Sequence, residues 1–504
     1  MKENRKNNKN MTVRQKPNSF VNKRSNNVSN NKNNPNNKAL SDHSYKKNNL
    51  KEYTTNVRCI RYNDTLTGVC VDLNNTKLLI EVKGIIIGEE AKVVVREIIS
   101  DGNIILTGKI IELTKRSNDR CKVNCNIYDK CGSCHLLQLN YQKQLEAKKE
   151  YVLRQFKNNN LDIKINEVLH ADKLTEYRNK LQVAFKMENK KVIYGFYEEY
   201  SHNIIPLTKC LVHSSKQLKV LEVISNLIVK LKLSVYDEAK RNGLIRFALI
   251  REAFRTNELL VTIVTSTDVF PGRNDFVKSL VKECPFITTI IQNVNSRKTS
   301  IVLGEEERTL YGKGYITENI LGINFKLSSK SFFQVNPFQT EKLYSKVIEY
   351  GAFQKTDTVI DAYCGVGTIG MAVSKSAKKV IGVELNRQAY INAINNAKAN
   401  NITNITFANG DATDFIDKFA DDEVKIDGVI MDPPRSGSTP LFINTVKKLS
   451  PKKVVYVSCD AKTLARDLVL FQDKYKVTNC AICDMFVGTY HVETVVTLSK
   501  VNDK

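Results

Sequence analysis

The sequence predicts an α/β protein with several domains, in which the carboxyl-terminal domain is a Rossmann-like, doubly wound and mostly parallel sheet. Three observations predict this fold class. With 504 residues, the chain is longer than one hydrophobic core usually organises. Short apolar runs alternate with helical stretches throughout residues 329–504, as in parallel sheets whose strands are joined by helices. A composition of 42% hydrophobic and 26% charged residues is that of an ordinary globular protein.

The charge of the chain indicates its partner. There are 77 Lys and Arg residues against 53 Asp and Glu residues, a formal net charge of +24. A polyanion such as RNA is the simplest partner for this excess. The sequence shows neither an apolar run of transmembrane length nor a signal peptide, so we expect a cytoplasmic protein without a membrane partner. The 12 cysteines are then expected to be thiols or metal ligands rather than disulfides.

The amino-terminal elements are predicted from composition and turn residues. Residues 1–48 are rich in Asn and Lys and nearly lack large apolar side chains, so we expect a disordered basic tail. Residues 49–114 hold five short β-like runs separated by Asn, Asp and Gly, which predicts an OB-like barrel, a fold that often binds nucleic acid. The predicted strands are Val57–Tyr62, Gly68–Leu73, Lys77–Val82, Ala91–Ile99 and Ile104–Thr114.

A central α+β domain is predicted for residues 115–328. It opens with the densest cysteine stretch of the chain, which is followed by apolar residues at helical spacing over Asn140–Asn160. This helix packs either on the central domain or on the carboxyl-terminal domain. Strand patterns over Lys180–Lys186 and Leu259–Thr265 then mix with a helical pattern over Gln217–Leu231.

The strands predicted for residues 329–504 locate the candidate chemistry. In a parallel sheet of this kind, ligands bind at the carboxyl ends of the strands, so residues that directly follow strands are the candidates. The predicted strands are Thr358–Ala362, Lys379–Glu384, Ile405–Ala408, Gly428–Met431 and Lys453–Ser458.

A glycine turn follows the first of these strands. Gly365 and Gly367 let a ligand approach the backbone, and Gly370 completes a Gly-x-Gly-x-x-Gly pattern that is weak by itself. Glu384, which ends the next strand, is placed to accept both hydroxyls of a ribose. NAD and S-adenosylmethionine both satisfy these features. With Asp361 at the end of the first strand, the segment resembles motif I of the S-adenosylmethionine methyltransferases.

Two further candidate residues follow strands. Asp432 precedes two prolines, which make a stiff turn beside the expected cofactor. Cys459 follows the last of the five predicted strands. A buried cysteine is usually a small hydrophobic residue, but its location at this edge of the sheet favours a nucleophile.

Several motifs, taken in order, closely resemble the RNA uracil-C5 methyltransferases. Because transfer-RNA members generally lack both the amino-terminal barrel and the cysteine cluster, the bacterial enzymes that methylate 23S rRNA are most similar. The resemblance implies a TRAM domain in the barrel, 23S rRNA as the partner, and a monomer. The matching segments are Ser331–Pro337, Asp432–Arg435, Val457–Asp460, Thr463–Asp467, Asp484–Phe486 and His491-x-Glu493.

The resemblance also implies roles for single residues. Cys459 is expected to add to uracil C6, and Glu493 to remove the C5 proton afterwards. Arg435 and Arg466 are candidates for raising the thiolate fraction of Cys459. Phe332 is a candidate for stacking on a flipped base, with a core phenylalanine as the alternative. The residues implied in S-adenosylmethionine binding are Gln334, Tyr363, Glu384 and Asp432, with Asp411 near the adenine.

The cysteine stretch is implied to hold a 4Fe–4S cluster. Zinc is the alternative metal, and Cys121 is the alternative fourth ligand. The spacing differs from that of the radical enzymes, which favours a structural or RNA-positioning cluster. Cys480 and Cys483 are expected to lie on strand without a metal. The four implied ligands are Cys125, Cys131, Cys134 and Cys210.

Two alternative functions stay open on the sequence. One is the same chemistry on transfer RNA, and the other is a non-catalytic RNA-binding iron–sulfur protein. The joint presence of Cys459, Glu493, Asp432 and Glu384 favours an active enzyme, because loss of catalysis removes the selection that retains such residues.

Overall fold

The computed structural model describes residues 52–100, 103–198, 201–299, 301–422 and 424–501. The tail predicted for residues 1–48 lies outside the described residues. Within the described part of the chain, no helix is both long and apolar enough to cross a membrane.

The amino-terminal strands form a closed barrel in the order β1-β2-β3-β5-β4. Alternate residues of β1 point inward, so Val57 and Cys59 lie in the barrel core with Cys70, Ile80 and Val93. The five-stranded barrel predicted from turn residues is confirmed. Its strands are β1 (Tyr53–Tyr62), β2 (Gly68–Asp72), β3 (Leu79–Val82), β4 (Glu90–Ser100) and β5 (Asn103–Lys115).

The remaining elements follow in chain order. Before residue 329 they are α1 (Tyr128–Cys131), α2 (Tyr141–Asn158), β6 (Glu167–Leu169), β7 (Lys180–Glu188), β8 (Lys191–Tyr197), β9 (Ile204–Pro206), α3 (Ser215–Lys230), β10 (Ile245–Ala253), β11 (Glu258–Thr265), α4 (Arg273–Glu283), β12 (Thr289–Val294), β13 (Glu306–Tyr311), β14 (Ile316–Ile320) and β15 (Ile323–Leu327). After it they are α5 (Pro337–Gly351), β16 (Thr358–Ala362), α6 (Thr368–Ser374), β17 (Lys379–Glu384), α7 (Arg387–Ala399), β18 (Ile405–Asn409), α8 (Ala412–Asp421), β19 (Gly428–Met431), α9 (Pro440–Leu449), β20 (Lys453–Ser458), α10 (Ala461–Val469), β21 (Tyr475–Cys483) and β22 (Glu493–Lys500).

A seven-stranded sheet forms the centre of the chain, in the order β13-β12-β11-β10-β7-β8-β9. Helices α3 and α4 contribute buried side chains to its core, including Leu221, Leu227 and Phe276. Helix α3 begins with a capping box, in which the Ser214 and Gln217 side chains each accept a hydrogen bond from the other's backbone N–H. Strands β14 and β15 pair separately as a two-stranded sheet.

An eight-stranded sheet in the order β18-β17-β16-β19-β20-β22-β21-β6 forms the carboxyl-terminal domain. The pairs from β18 to β20 are parallel, which confirms the predicted doubly wound sheet. Strand β22 inserts antiparallel beside β20, with Ser458 opposite Thr494. The start of β22 therefore lies at the same edge as the carboxyl end of β20.

Two elements from the middle of the chain complete this domain. Strand β6 pairs with β21 at the edge of the sheet. Helix α2 packs against α10, and its Val152 and Phe156 lie in the same core as Leu468 and Phe471. The helix that follows the cysteine stretch thus packs on the carboxyl-terminal domain, the second of the two arrangements that the sequence allows.

The docking of α2 predicts a large effect of one substitution. Phe156 is 1% exposed, so Phe156→Ala should lower the free energy of unfolding by about 3–5 kcal/mol. Urea unfolding followed by circular dichroism measures this change. The same substitution at Phe332, which is 75% exposed, is the control and should cost less than about 0.5 kcal/mol. Equal losses in the two variants would show that α2 does not stabilise the domain.

Candidate active site

One edge of the carboxyl-terminal sheet brings together a thiol and two carboxyl groups. Cys459 follows β20, Glu493 opens β22, and Asp432 follows β19. Because Ser458 pairs with Thr494, Cys459 and Glu493 are the next residues on two neighbouring strands. The Asp460 carboxylate accepts from the Thr463 backbone N–H at 2.9 Å, which begins α10 directly after Cys459. The predicted pairing of Cys459 with Glu493 in one site is thus present.

Burial controls the protonation of this group. It raises the pKa of Glu493 to about 8 and that of Asp432 to about 7, and the value for Glu493 includes a smaller contribution from the Asp432 charge. Burial also raises the pKa of Cys459 to about 12, with smaller contributions in the same direction from Glu493 and Asp432. These surroundings favour the thiol of Cys459 over its thiolate, opposite to the direction expected from the sequence.

Of the two arginines predicted to act on Cys459, only Arg435 is close enough to affect its pKa. The Arg435 guanidinium opposes the rise in the pKa of both Cys459 and Glu493. Arg466 instead binds the Asp467 carboxylate at 2.7 Å and donates to the Ser436 carbonyl at 3.0 Å. Arg466 therefore holds the loop between β19 and α9 rather than the thiol.

Two of the predicted cofactor residues, Glu384 and Tyr363, lie at the glycine turn after β16. The Glu384 carboxylate accepts from the backbone N–H groups of Gly365 at 2.8 Å and Asn386 at 2.6 Å, which orients it at the end of β17. A Cβ atom at Gly365 would meet no heavy atom within 4 Å, so the turn is open to a ligand. Tyr363 has a φ of 61°, a conformation that non-glycine residues rarely adopt, and its ring packs on Phe442 with centroids 5.2 Å apart.

Other residues near the turn have different surroundings. The Asp361 carboxylate accepts from the Gly370 N–H at 2.7 Å and so fixes the start of α6. Asp411, expected near an adenine, caps α8 by accepting from the Thr413 N–H at 2.7 Å. Leu385 is 70% exposed directly after Glu384, a feature that the sequence analysis missed. The signal in the sequence for an exposed apolar side chain here was a leucine directly after the acid that ends β17.

The segment between β15 and α5 presents Phe332 to solvent. Phe332 is 75% exposed, whereas Phe333 is buried, so the alternative of a core phenylalanine at 332 is wrong. The Arg251 guanidinium donates to the Ser331 carbonyl at 2.7 Å, and the Asn179 amide donates to the Gln334 carbonyl at 2.9 Å. These bonds hold the backbone on both sides of Phe332.

The four cysteines expected to bind a cluster line one cavity of about 330 Å³. Cys121 is exposed and does not line this cavity, while Cys210 does. Burial raises the pKa of Cys134 to about 12, and Cys210, Cys131 and Cys125 contribute in the same direction. Four free thiols that line one cavity form a donor set that suits iron or zinc.

The side chains of these cysteines are not in ligand geometry. Among the described residues, no three His, Cys, Asp or Glu side chains converge as they would around a single metal ion. Cys480 and Cys483 are both buried on β21, in agreement with strand residues.

A parallel sheet with an open glycine turn, an acid at the end of the next strand and buried reactive groups at the same edge is typical of S-adenosylmethionine-dependent methyltransferases. A family model described as tRNA (Uracil-5-)-methyltransferase matches residues 140–501. The chain therefore belongs to the RNA uracil-C5 methyltransferases.

Relatives and a solved structure agree with this assignment. An uncharacterized RNA methyltransferase from Clostridium tetani (strain Massachusetts / E88) is 39% identical over 425 residues, which cover 84% of this chain and 92% of the relative. Another from Staphylococcus aureus (strain MSSA476) is 36% identical over 450 residues, covering 87% and 99%. The crystal structure of Pyrococcus abyssi tRNA (uracil-54, C5)-methyltransferase with S-adenosyl-L-homocysteine matches with a TM-score of 0.70 and 26% identity, covering 88% of this chain and 99% of that one.

The Pyrococcus abyssi match weakens the reason for preferring ribosomal RNA. The share of this chain that it covers exceeds what residues 116–504 alone can supply, so it extends into the barrel region. A transfer-RNA enzyme can therefore resemble this chain beyond the catalytic domain.

The raised pKa of Glu493 predicts how stability depends on pH. Its pKa is about 8 in the folded protein against 4.5 for an ordinary glutamate, so ionisation between these values favours the unfolded chain. Glu493→Gln should thus be more stable than the wild type by a few kcal/mol near pH 9 and by little near pH 5. Urea unfolding over this pH range measures the difference. The same substitution at exposed Glu112 controls for the lost charge, and a gain independent of pH would contradict the assignment.

Proposed function

We propose that the protein transfers a methyl group from S-adenosylmethionine to C5 of a specific uridine in 23S rRNA, through a covalent bond between Cys459 and C6. The observation that carries this proposal is the location of Cys459 beside Glu493 on neighbouring strands, with Asp432 at the same edge. Methylation of a base nitrogen needs no such thiol. Uracil C5 is a poor nucleophile and does need one.

The proposed reaction uses Cys459 as nucleophile and leaving group and Glu493 as base. The Cys459 thiolate, formed when the thiol loses its proton to solvent, adds to C6 and makes an enolate. C5 then attacks the methyl group, and S-adenosylhomocysteine is released with an uncharged sulfur. Glu493 removes the C5 proton, and the C6–S bond breaks to return the thiolate. Once ionised, a carboxyl group with a pKa of about 8 is a stronger base than an ordinary glutamate, which suits it to this step.

Arg435 and the methyl donor assist the thiolate in this scheme. Arg435 lowers the pKa of Cys459, although burial outweighs it in the protein alone. The donor brings a positive sulfonium, and a cation near buried carboxyl and thiol groups favours their charged forms. Glu384 would bind the ribose, while Tyr363, Gln334 and Asp432 complete the proposed binding site. The hydrogen bond of Glu384 to the open glycine turn supports its part in this site.

Exposed Phe332 is proposed to stack on the flipped target base. A nucleotide must leave its helix before C6 can be attacked, and an aromatic ring compensates for the lost stacking. Its 75% exposure beside a segment held by hydrogen bonds supports this role.

The choice of RNA is proposed from the amino-terminal part of the chain. We propose that the barrel is a TRAM-like RNA-binding domain, since Arg61, Lys109 and Lys115 are exposed on its outer surface. Ribosomal RNA is the proposed substrate because of the resemblance to the bacterial 23S enzymes. A ribosomal substrate would place the activity in the cytoplasm. Transfer RNA is the second candidate, favoured by the match to the Pyrococcus abyssi enzyme.

We further propose that Cys125, Cys131, Cys134 and Cys210 hold a 4Fe–4S cluster with a structural role. The shared cavity supports this set, and the exclusion of Cys121 from the cavity supports Cys210 as the fourth ligand. Zinc is the competing metal for four thiolates.

Methyl transfer is tested with tritium-labelled S-adenosylmethionine and undermethylated 23S rRNA or bulk transfer RNA. We expect label in 5-methyluridine from 23S rRNA, reduced at least about a thousandfold in Cys459→Ala. Cys284→Ala, at a buried cysteine that ends helix α4 in the core of the central domain, is the matched control and should retain activity. RNA containing 5-fluorouridine should form an adduct with the wild type that survives denaturing electrophoresis, because fluorine cannot leave as a proton does.

Other results of this experiment would change the conclusion. Label in transfer RNA alone would keep the chemistry and replace the substrate. Equal activity of the Cys459 and Cys284 variants would exclude the covalent step, and the absence of label in both RNAs would favour an RNA-binding protein.

The cluster is tested by metal analysis of protein purified without oxygen. About four irons and four sulfides per chain are expected. Cys210→Ser should lose most of this iron, whereas Cys121→Ser should retain it. One zinc per chain instead of iron would replace the proposed cluster, and loss of iron in Cys121→Ser alone would change the ligand set.

A further inference from the structure

The loop between β21 and β22 is held by an unusual set of donors. Residues 484–492, here called the base loop, connect β21 to Glu493. Four successive carbonyls of this loop each accept a hydrogen bond from a different segment of the chain. They are Met485 from the Asn336 amide at 3.1 Å, Phe486 from the Lys148 ammonium at 3.1 Å, Val487 from the Tyr177 hydroxyl at 3.0 Å, and Gly488 from the His135 and Leu136 N–H groups at 2.8 and 2.9 Å.

Two of these four attachments lie beside the cysteine cavity. His135 and Leu136 directly follow Cys134 and belong to residues 121–137, here called the cysteine segment. The Tyr177 ring lies in one apolar cluster with Val487, and Cys134 and Cys210 pack against that cluster. The middle of the base loop therefore rests on residues next to those that line the cavity, since Cys134 and Leu137 flank the first pair and Arg178 follows Tyr177.

The geometry at Gly488 shows how closely the segments approach. Gly488 has a φ of +76°, and a Cβ atom there would lie 2.8 Å from the Leu137 side chain. Its N–H donates to the Gln144 side chain at 3.2 Å. Both backbone polar groups of this residue are thus bonded to the segment that follows the cysteines.

The other end of the base loop leads into the candidate active site. The Tyr490 ring packs on His135 at 4.7 Å and on His491 at 4.1 Å between centroids. Glu493 lies two residues after His491 and pairs with Cys483, where the two strands of the hairpin meet the base loop. Two antiparallel strands can be joined by a short turn, whereas the base loop is longer and four of its successive carbonyls are bonded to other segments. Its length and these bonds point to a role besides connecting β21 to β22.

We propose that the cysteine segment positions Glu493 through the carbonyls of Val487 and Gly488, with Tyr177 as a positioning residue. Ligation of the cysteines fixes Cys134 and the two N–H groups after it, and so fixes the base loop. This inference rests on the proposed function in two respects, namely that Glu493 removes the C5 proton and that the four cysteines bind a cluster. It assigns the cysteine cluster an effect on the reaction without contact with the substrate.

The test is Tyr177→Phe, which keeps the buried ring and removes only the hydroxyl donor. Tyr475→Phe is the matched control, because the Tyr475 hydroxyl also donates to a backbone carbonyl, that of Pro451, at 2.8 Å. We expect kcat to fall about tenfold in Tyr177→Phe, with KM for S-adenosylmethionine unchanged. The fraction of enzyme in a denaturation-resistant adduct with methylated RNA should rise, because loss of the C5 proton is the slowed step. Neither change is expected in Tyr475→Phe.

Hydrogen exchange gives a second readout that does not depend on activity. Amides of residues 486–491 should exchange faster in Tyr177→Phe than in the wild type, and faster in iron-depleted than in iron-loaded full-length protein. The same kcat, adduct fraction and exchange in the Tyr177 and Tyr475 variants would overturn the proposal. Unchanged exchange after iron removal would overturn the contribution of ligation.

These outcomes are separable from failure of the proposed function. If the protein binds no iron, the Tyr177 comparison still tests positioning by the cysteine segment. If Cys459→Ala remains active, the covalent mechanism fails whatever the exchange experiment gives.

Discussion

The structure depends on the removal of acidic groups from water at one edge of a sheet. Burial is the largest cause of the raised pKa of Asp361, Asp432, Glu493 and Cys459. Burial of this kind favours the uncharged forms, and a nearby cation or hydrogen-bond donor favours the charged ones. An edge lined by such groups therefore suits a cationic methyl donor better than a phosphate-bearing dinucleotide, which supplies no cation.

The local sequence predicted the bounds of the strands well, but it did not predict which strands lie side by side in the sheet. β16, β17, β19 and β20 have the predicted bounds, because buried parallel strands are continuous apolar runs that end at a glycine or an acid. The insertion of β22 between β20 and β21 was not predicted, since an apolar strand does not encode which strand lies beside it. Yet this insertion is what brings Glu493 next to Cys459.

The site shows the same limit at single residues. The motifs identified the residue types, but not which of two similar candidates faces the site. Phe332 rather than Phe333 is exposed, and Arg435 rather than Arg466 acts on Cys459. Which candidate faces the site depends on the direction in which its side chain leaves the backbone and on partners such as Asp467. Both are fixed only when the chain folds. The carbonyl contacts of the base loop had no sequence signal, because backbone acceptors are the same at every residue.

The pairing of β6 with β21 and the packing of α2 on α10 also constrain how the chain acquires its structure during synthesis. Both early elements leave the ribosome on the order of tens of seconds before their partners, at about 5–20 residues per second. The barrel pairs only with itself and can fold at once, whereas α2 keeps an apolar face exposed until the last strands emerge. The barrel strands therefore emerge long before the methyltransferase domain is complete. Cys459 and Glu493 come together only after β22 has emerged.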